Sequence, residues 1–349
     1  MEPIELVVKE VIKETKDAVS VHFEQPSTKM DYEPGQFLTL IFDIKGKEER
    51  RAYSLCSSPL VDEFPAVAVK RVNKGLVSNH VNDHVKAGDK VRILEPMGTF
   101  TLESNKADHI VLLGGGSGIT PLLSILKTTL KDSSSSKVSL IYVNKDKESI
   151  IFADRIKELE ATYRERLNVV HHLDSDNVKK RKLGIGKKTV LLSEDKLNEL
   201  ITGLNIDKSG STSFFICGPT GMMDVAEKTL INMSFPKETI KKESFVAAAS
   251  TELKGLPAEA KKVKVKYQGQ NYDFNVKPGT TVLQAALDEG VELPFSCQGG
   301  LCTACMGKLI QGKLEMRDNM ALTDQEVDNG FVLTCVGHPT TDDVEIEIE

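Results

Sequence analysis

Tryptophan is absent from the 349 residues, and aromatics make up only 5%. No stretch of about 18 apolar residues occurs, which excludes a membrane-spanning helix. The first twenty residues, "MEPIELVVKEVIKETKDAVS", have neither a basic head nor a cleavage site. They read as a first strand and not as a signal peptide. A cytoplasmic location is therefore expected, with reduced thiols and little scope for disulfides. Basic excess is missing as well: the net charge is −6. What remains, 40% hydrophobic and 28% charged residues, describes a soluble globular protein. The length predicts two or three domains.

The charge is unevenly placed. Residues 263–349 hold 14 acidic and 6 basic side chains, a net of −8, which leaves +2 for the first 262 residues. An acidic module on a near-neutral body argues against nucleic acid as a partner. It suits docking on a basic protein surface, and serves solubility equally well.

Cysteine is scarce, with six residues, but three lie in "PFSCQGGLCTACMGKL", residues 294–309. Cys297, Cys302, Cys305 and Cys335 give C-x4-C-x2-C-x29-C, the plant-type spacing that holds a [2Fe–2S] cluster. A tight loop brings three ligands together, and the fourth comes from a later segment. Gly299 and Gly300 let the backbone approach the sulfurs. A zinc site normally takes paired C-x2-C knuckles, and only one is present. A disulfide framework conflicts with the compartment and the chain length. Around this loop, "KVKVKYQGQNYDFNV" predicts a hairpin turning at Gln268-Gly269. Thr280 or Thr281 is the expected cap of the next helix, and Gly290 its stop.

Before this module lies "VAAASTELKGLPAEAKK" (246–262), which lacks apolar periodicity and reads as a tether. Residues 107–245 alternate strands and helices, which predicts a parallel sheet with helices on both faces and ligands at the strands' carboxyl ends. The turn Gly114-Gly115-Gly116-Ser117-Gly118-Ile119-Thr120-Pro121 sits at such an end. It offers N–H groups to a diphosphate, and alone it is equally well an ordinary tight turn. Cys217-Gly218-Pro219 closes another strand at the same edge, with a small side chain beside which a flat ring would fit. Residues 1–106 consist of short strands and turns and predict a small antiparallel barrel. There "RRAYSLCSSP" and "KGLVSNHVNDHV" offer Arg51, Tyr53, Ser54 and Ser78. An arginine and a hydroxyl at a helix start suit a diphosphate, but taken alone each stretch reads better as an ordinary strand or an ordinary cap. His80, His84, His109, His171 and His172 form no metal-binding pattern.

Together these stretches resemble the ferredoxin–NADP reductase family over the whole chain. R-x-Y-S at Arg51–Ser54, "PGQF" at 34–37 and G-x-x-S at Gly75–Ser78 look like its flavin motifs, and "GGGSGITP" and "CGPTGMM" like its nucleotide motifs. The resemblance implies an FAD-binding β-barrel (1–106), an NAD(P)-binding α/β domain (107–245), a linker (246–262) and a β-grasp ferredoxin domain (263–349). It implies that Arg51 and Ser78 bind the flavin diphosphate, with Ala52, Val69, Lys70, Gly75, Leu76 and Val77 beside them. Tyr53 would stack on the flavin ring and Ser54 would face its N5. Gly114, Gly115, Gly116, Gly118 and Pro121, with Gly218, Pro219 and Met222, would hold NADPH or NADH. Thr120 and Cys217 would flank the nicotinamide. "KESF" (242–245) would put Glu243 near the nicotinamide and Phe245 on the flavin. Hydride from NAD(P)H would reach FAD and leave as single electrons through a cluster near about −400 mV. The implied partner is a terminal oxygenase or another one-electron acceptor. "RAYSLCSSP" looks most like the reductase subunits of phenylacetyl-CoA epoxidases, with those of ketosteroid hydroxylases and hybrid-cluster proteins close by. "KKRK" (179–182) and Lys145 are candidates for a 2′-phosphate, yet "HLDSD" (172–176) lacks the arginine that many NADPH users carry. "KKRK" is equally a solvated charged loop. A redox sensor and a stand-alone flavin reductase are the competing functions.

Overall fold

The computed structural model describes residues 3–102, 107–174, 192–206, 211–245, 257, 259–300, 302–317, 319 and 321–348. Most of the expected tether and all of "KKRK" lie outside the described residues. The chain divides into two compact units. One comprises residues 2–49 and 53–245, and the other 246–349 with the segment Arg50–Ala52.

The first unit opens with the strands β1 (Ile4–Thr15), β2 (Ala18–Phe23), β3 (Phe37–Ile44), β4 (Lys47–Ser54) and β5 (Ala66–Lys70). Helix α1 (Leu76–His84) and strand β6 (Lys90–Met97) follow. They form an antiparallel sheet in the order β4-β3-β6-β1-β2-β5. An isolated bridge, Leu55 to Val67, joins its two ends, so the sheet curls into a barrel with its seam just after Ser54. Leu38, Leu40, Val67, Val69 and Ile93 fill the inside and are almost wholly buried. Alternation along half-buried strands produces this inward set.

The same unit continues with β7 (His109–Gly115), α2 (Ile119–Asp132), β8 (Lys137–Asn144), α3 (Ala153–Thr162) and β9 (Leu167–Leu173). Then come α4 (Glu194–Gly203), β10 (Thr212–Cys217), α5 (Thr220–Asn232) and β11 (Ile240–Glu243). The sheet is parallel throughout, in the order β11-β10-β7-β8-β9. Sequence reading finds four of these strands and misses β11. Its four residues, Ile-Lys-Lys-Glu, show no apolar alternation and form a strand only because β10 pairs with them.

Barrel and parallel sheet share a core. Ala18, Cys56, Ala66 and Ala68 of the barrel pack in one cluster with Ile119, Leu122 and Leu126 of α2. Small side chains let the helix approach the strands closely. Polar bonds reinforce the seam: Ser124 Oγ donates to the Ser57 carbonyl at 2.6 Å, Ser58 and Thr128 hydroxyls meet at 2.8 Å, and Lys127 pairs with Asp62.

The second unit contains β12 (Lys261–Tyr267), β13 (Gln270–Val276), α6 (Val282–Asp288), β14 (Met306–Gln311) and β15 (Leu314–Met316). It ends with α7 (Asp324–Asp328), β16 (Phe331–Leu333), β17 (Gly337–Pro339) and β18 (Val344–Ile348). The mixed sheet runs β13-β12-β18-β14-β16, with β12 and β18 parallel. The hairpin turns at Gln268 (φ 49°) and Gly269 (φ 76°), as the sequence predicts. Thr281 caps α6 by accepting from the Gln284 N–H at 3.2 Å, and Gly290 (φ 77°) follows its end. Lysines of β12 face acids of β18: Lys264–Glu345 at 3.1 Å and Lys266–Glu347 at 2.6 Å.

Candidate functional site

In the first unit the glycine turn follows β7. Gly116 has φ +55°, a conformation that favours glycine. A Cβ on Gly118 would lie 2.0 Å from the Cys217 carbonyl oxygen, so the turn and the end of β10 pack backbone on backbone. Tyr142 Oη donates to the Gly116 carbonyl at 2.9 Å and fixes the turn from β8. Pro121 sits in the first turn of α2, where its missing N–H costs nothing. Thr120, 2% exposed, gives its hydroxyl to the Ser117 carbonyl at 3.0 Å.

Three side chains meet where the barrel seam adjoins β10 and β11. Ser54 Oγ donates to Glu243 Oε2 at 3.1 Å, and both residues are 4% exposed. Parallel register sets Glu243 beside Cys217. Cys217 is fully buried, and burial, then the Glu243 charge, pushes its thiol well up. It stays a neutral thiol and not a nucleophile. A carboxylate this deep gains from a hydroxyl donor, since a buried charge without one is costly. Phe245, two residues on, is 41% exposed.

On the barrel, Tyr53 packs against the core with its ring half-buried. Val69 is wholly buried, so only its backbone is available to a ligand. Gly75 and Ser78 form a closed turn: the Gly75 N–H bonds the Val72 carbonyl at 2.9 Å, and Ser78 Oγ accepts from the Val72 N–H at 3.1 Å. Ser78 keeps its own hydroxyl proton for an acceptor. Val77 is in the core and Leu76 is exposed. Arg51 is exposed, its guanidinium donating to the Arg50 carbonyl at 2.6 Å, and Ala52 is half-buried. Cys56 is structural: its thiol donates to the Ala66 carbonyl at 3.3 Å, and burial pushes it up to about 12.

A cleft of about 220 Å³ opens at the carboxyl ends of β7, β8 and β10. Gly115, Gly116, Pro219 and Met222 line it, whereas Gly114, Gly118, Thr120, Pro121, Cys217 and Gly218 are not among its lining residues. Lys70 reaches it from β5: its Nζ lies 3.4 Å from where a Cβ on Gly116 would stand. Val143, Asn144, Lys145, Glu148 and Ser149 form one wall, and Thr15, Lys16 and Asp17 from the β1–β2 turn form another. Apart from Lys145, sequence reading misses these walls. The β1–β2 turn carries no motif and lies about a hundred residues from the glycine turn.

In the second unit, Cys302, Cys305 and Cys335 are 4%, 1% and 6% exposed, and Cys297 is half-buried. Cys302 Sγ donates to Cys297 Sγ at 3.3 Å, and the Gly299 N–H points at the same sulfur at 3.4 Å. Cys335, a free thiol, lies close enough to Cys297 and Cys305 to interact with both sulfurs. Gln298 (φ 55°) and Gly300 (φ 72°) wind the loop around them. The Thr334 N–H and hydroxyl both reach the Cys305 carbonyl, at 3.1 and 3.2 Å, which ties the fourth ligand's strand to the loop. Hydrogen bonding to Cys297, then burial, pushes the Cys302 thiol up, and bonds to Cys297 and Cys305 do the same for Cys335. Four thiols gathered in a buried pocket cannot all ionise together unless metal cations offset the charge. No set of three His, Cys, Asp or Glu among the described residues is arranged for a single ion. An all-cysteine set with loop N–H donors fits a [2Fe–2S] cluster.

Comparison with known proteins agrees with each part. The oxidoreductase FAD-binding domain family matches residues 3–102, the oxidoreductase NAD-binding domain family 112–228, and the 2Fe-2S iron-sulfur cluster binding domain family 265–340. One component of the 1,2-phenylacetyl-CoA epoxidase of Escherichia coli (strain K12) is 33% identical, covering 99% of this chain and 97% of that protein. The chain belongs to the ferredoxin–NADP reductase family. The ferredoxin reductase component of 3-ketosteroid-9-alpha-monooxygenase from Rhodococcus rhodochrous is 34% identical to this reductase over 98% of its chain and 96% of the relative. Phthalate dioxygenase reductase shares the fold, with a TM-score of 0.65 at 24% identity over 99% and 98% of the two chains. The reductase is an oxidoreductase with flavin, pyridine-nucleotide and iron–sulfur modules in that order. Among its described residues no helix is long and apolar enough to cross a membrane.

Proposed function

We propose that this reductase takes hydride from NADH or NADPH onto FAD and delivers single electrons through its [2Fe–2S] cluster to a terminal oxygenase of the phenylacetyl-CoA epoxidase type. The likeness in sequence to the epoxidase component along nearly the whole chain supports that partner. Ketosteroid hydroxylases are the second candidate partners, on similar identity. A hybrid-cluster protein as acceptor, or service as an NAD(P)H-responsive redox sensor, is the alternative. The modules are assigned to 1–106, 107–245 and 263–349, joined by 246–262, in a cytoplasmic protein.

The buried Ser54–Glu243 bond carries the reading, because it joins the flavin barrel to the edge of the nucleotide sheet. Bound FAD and pyridine nucleotide supply the hydride chemistry, and the cluster the one-electron exit. Ser54 Oγ donates its proton to Glu243 and would be the group that faces N5 of a bound flavin. Glu243 and the neutral Cys217 shape the nicotinamide side, with Thr120 fixing the start of α2. Arg51 and the Ser78 hydroxyl would bind the flavin diphosphate, and Tyr53 would stack on the ring. Gly75, Leu76 and Val77 present backbone N–H groups. The glycine turn, Gly218, Pro219 and Met222 would hold the nucleotide, and Phe245, 41% exposed, would lie on the flavin face.

Anaerobic titration with NADH and with NADPH should bleach the flavin, and steady turnover should reduce cytochrome c. Replacing Ser54 by Ala should slow flavin bleaching about 100-fold, in the range found for positioned proton donors, with FAD content unchanged. Protein inert to both nucleotides would refute the reading. Bleaching without cytochrome c turnover would favour the sensor.

A further inference from the structure

We infer that Asn144 and Lys16 form a phosphate-binding corner of the nucleotide cleft, with Lys16 supplied by the flavin barrel. The inference rests on the reading of this cleft as the pyridine-nucleotide site.

Asn144 is the last residue of β8, at the carboxyl end where open parallel sheets bind ligands. It is 3% exposed, lines the cleft, and its Nδ2 makes no hydrogen bond. The Tyr142 phenol stands close enough to Asn144 for the amide to offset part of the rise that burial gives its pKa, but it spends its proton on the Gly116 carbonyl at 2.9 Å, and Asn144 Nδ2 meets no acceptor at hydrogen-bond distance. A buried donor left unmatched is costly, so it marks a place where a ligand oxygen completes the site.

Lys16 lies exposed on the turn between β1 and β2 and lines the same cleft. Its charge reaches across the cleft. The Asp146 carboxyl is held low first by the Ser149 hydroxyl, and both Lys145 and Lys16 add to that. Lys16, Lys70 and Lys145 line the cleft against Asp17 and Glu148, so the cations prevail by one charge. Lys70 stands at the glycine turn, which leaves Lys16 and Asn144 to the β8 end. A neutral amide N–H and an ammonium together match a phosphate oxygen, which only accepts. In a pyridine dinucleotide that phosphate is either the diphosphate or the 2′-phosphate of NADPH.

The test is equilibrium binding of NAD⁺ and NADP⁺ to the FAD-loaded protein by calorimetry, with Asn144→Leu and Lys16→Gln. Each variant should weaken binding about tenfold, the effect of one charge-assisted hydrogen bond. Weakening toward both nucleotides assigns the corner to the diphosphate. Weakening toward NADP⁺ alone assigns it to the 2′-phosphate. Removing an unmatched buried donor should leave the Tm of the nucleotide-free protein unchanged or raised in Asn144→Leu. A lowered Tm with unaltered Kd would make Asn144 a core residue and overturn the inference, as would an unaltered Kd in Lys16→Gln. Wild-type protein that binds neither nucleotide would overturn the nucleotide-site reading itself.

Discussion

The cysteine loop and the nucleotide cleft are built in opposite ways. Three of the four gathered cysteines fall within nine residues, and the fourth is tied to them through the Thr334–Cys305 bonds. The cleft gathers residues from Thr15 to Met222, drawn from two differently folded halves of one unit. The loop's chemistry is set by local spacing. The cleft exists only while the barrel and the parallel sheet stay packed together. Damage to the loop should therefore remove one function cleanly, whereas damage to the barrel–sheet seam should affect the whole unit.

The largest expected effect sharpens that contrast at the loop. Changing Cys302 to Ser should abolish cytochrome c reduction, by at least about 100-fold, while nucleotide-driven bleaching of the flavin persists. Parallel stopped-flow and steady-state assays check it. Equal loss of both activities would mean that the two regions are not separable. Next comes the seam. Lys127 is 5% exposed and paired with Asp62, and Lys127→Ala leaves that acid with Arg155 at 4.0 Å and the Ser58 N–H at 2.6 Å. Loss of a buried partner should cost about 3 kcal/mol. Calorimetry should show a lowered transition for the barrel–sheet unit, with cluster absorbance retained. The smallest effect concerns Glu14, beside the cleft's β1–β2 wall. Burial raises its pKa, against the lowering influence of the Ser20 hydroxyl at 2.6 Å. A raised folded value favours the protonated form. The stabilisation is full below the unfolded value of 4.5 and is lost as pH rises through the folded value. Glu14→Gln should thus raise Tm slightly at pH 7–8 and leave it unchanged near pH 4.

The same contrast explains what was legible in the sequence. Spacing disclosed the clustered cysteines of an iron–sulfur domain, the Gln268-Gly269 hairpin and the glycine turn, since each depends on neighbours in the chain. The barrel could be read from its short strands and turns. The β1–β2 wall of the cleft could not, because Thr15, Lys16 and Asp17 look like any hairpin turn until β8 stands opposite. Strand β11 was hidden for a related reason: Ile240–Glu243 has no period of its own, and only pairing with β10 makes Glu243 a neighbour of Cys217. The shared core also left no motif, since Ala18, Ala66 and Ala68 show their purpose only when α2 lies on them.

The lysine rungs on β12 have a consequence for encounter with other molecules. They neutralise acids of β18 in the middle of the sheet, so that patch of the iron–sulfur unit presents little field. The surplus negative charge is left to segments such as Asp288, Glu289 and Glu292, just ahead of the cysteine loop. A body whose charge is unevenly spread turns in the potential of a cationic surface before touching it. That torque fades over a Debye length of about 10 Å at 0.1 M salt, so added electrolyte should scramble the angle of approach before it weakens the grip.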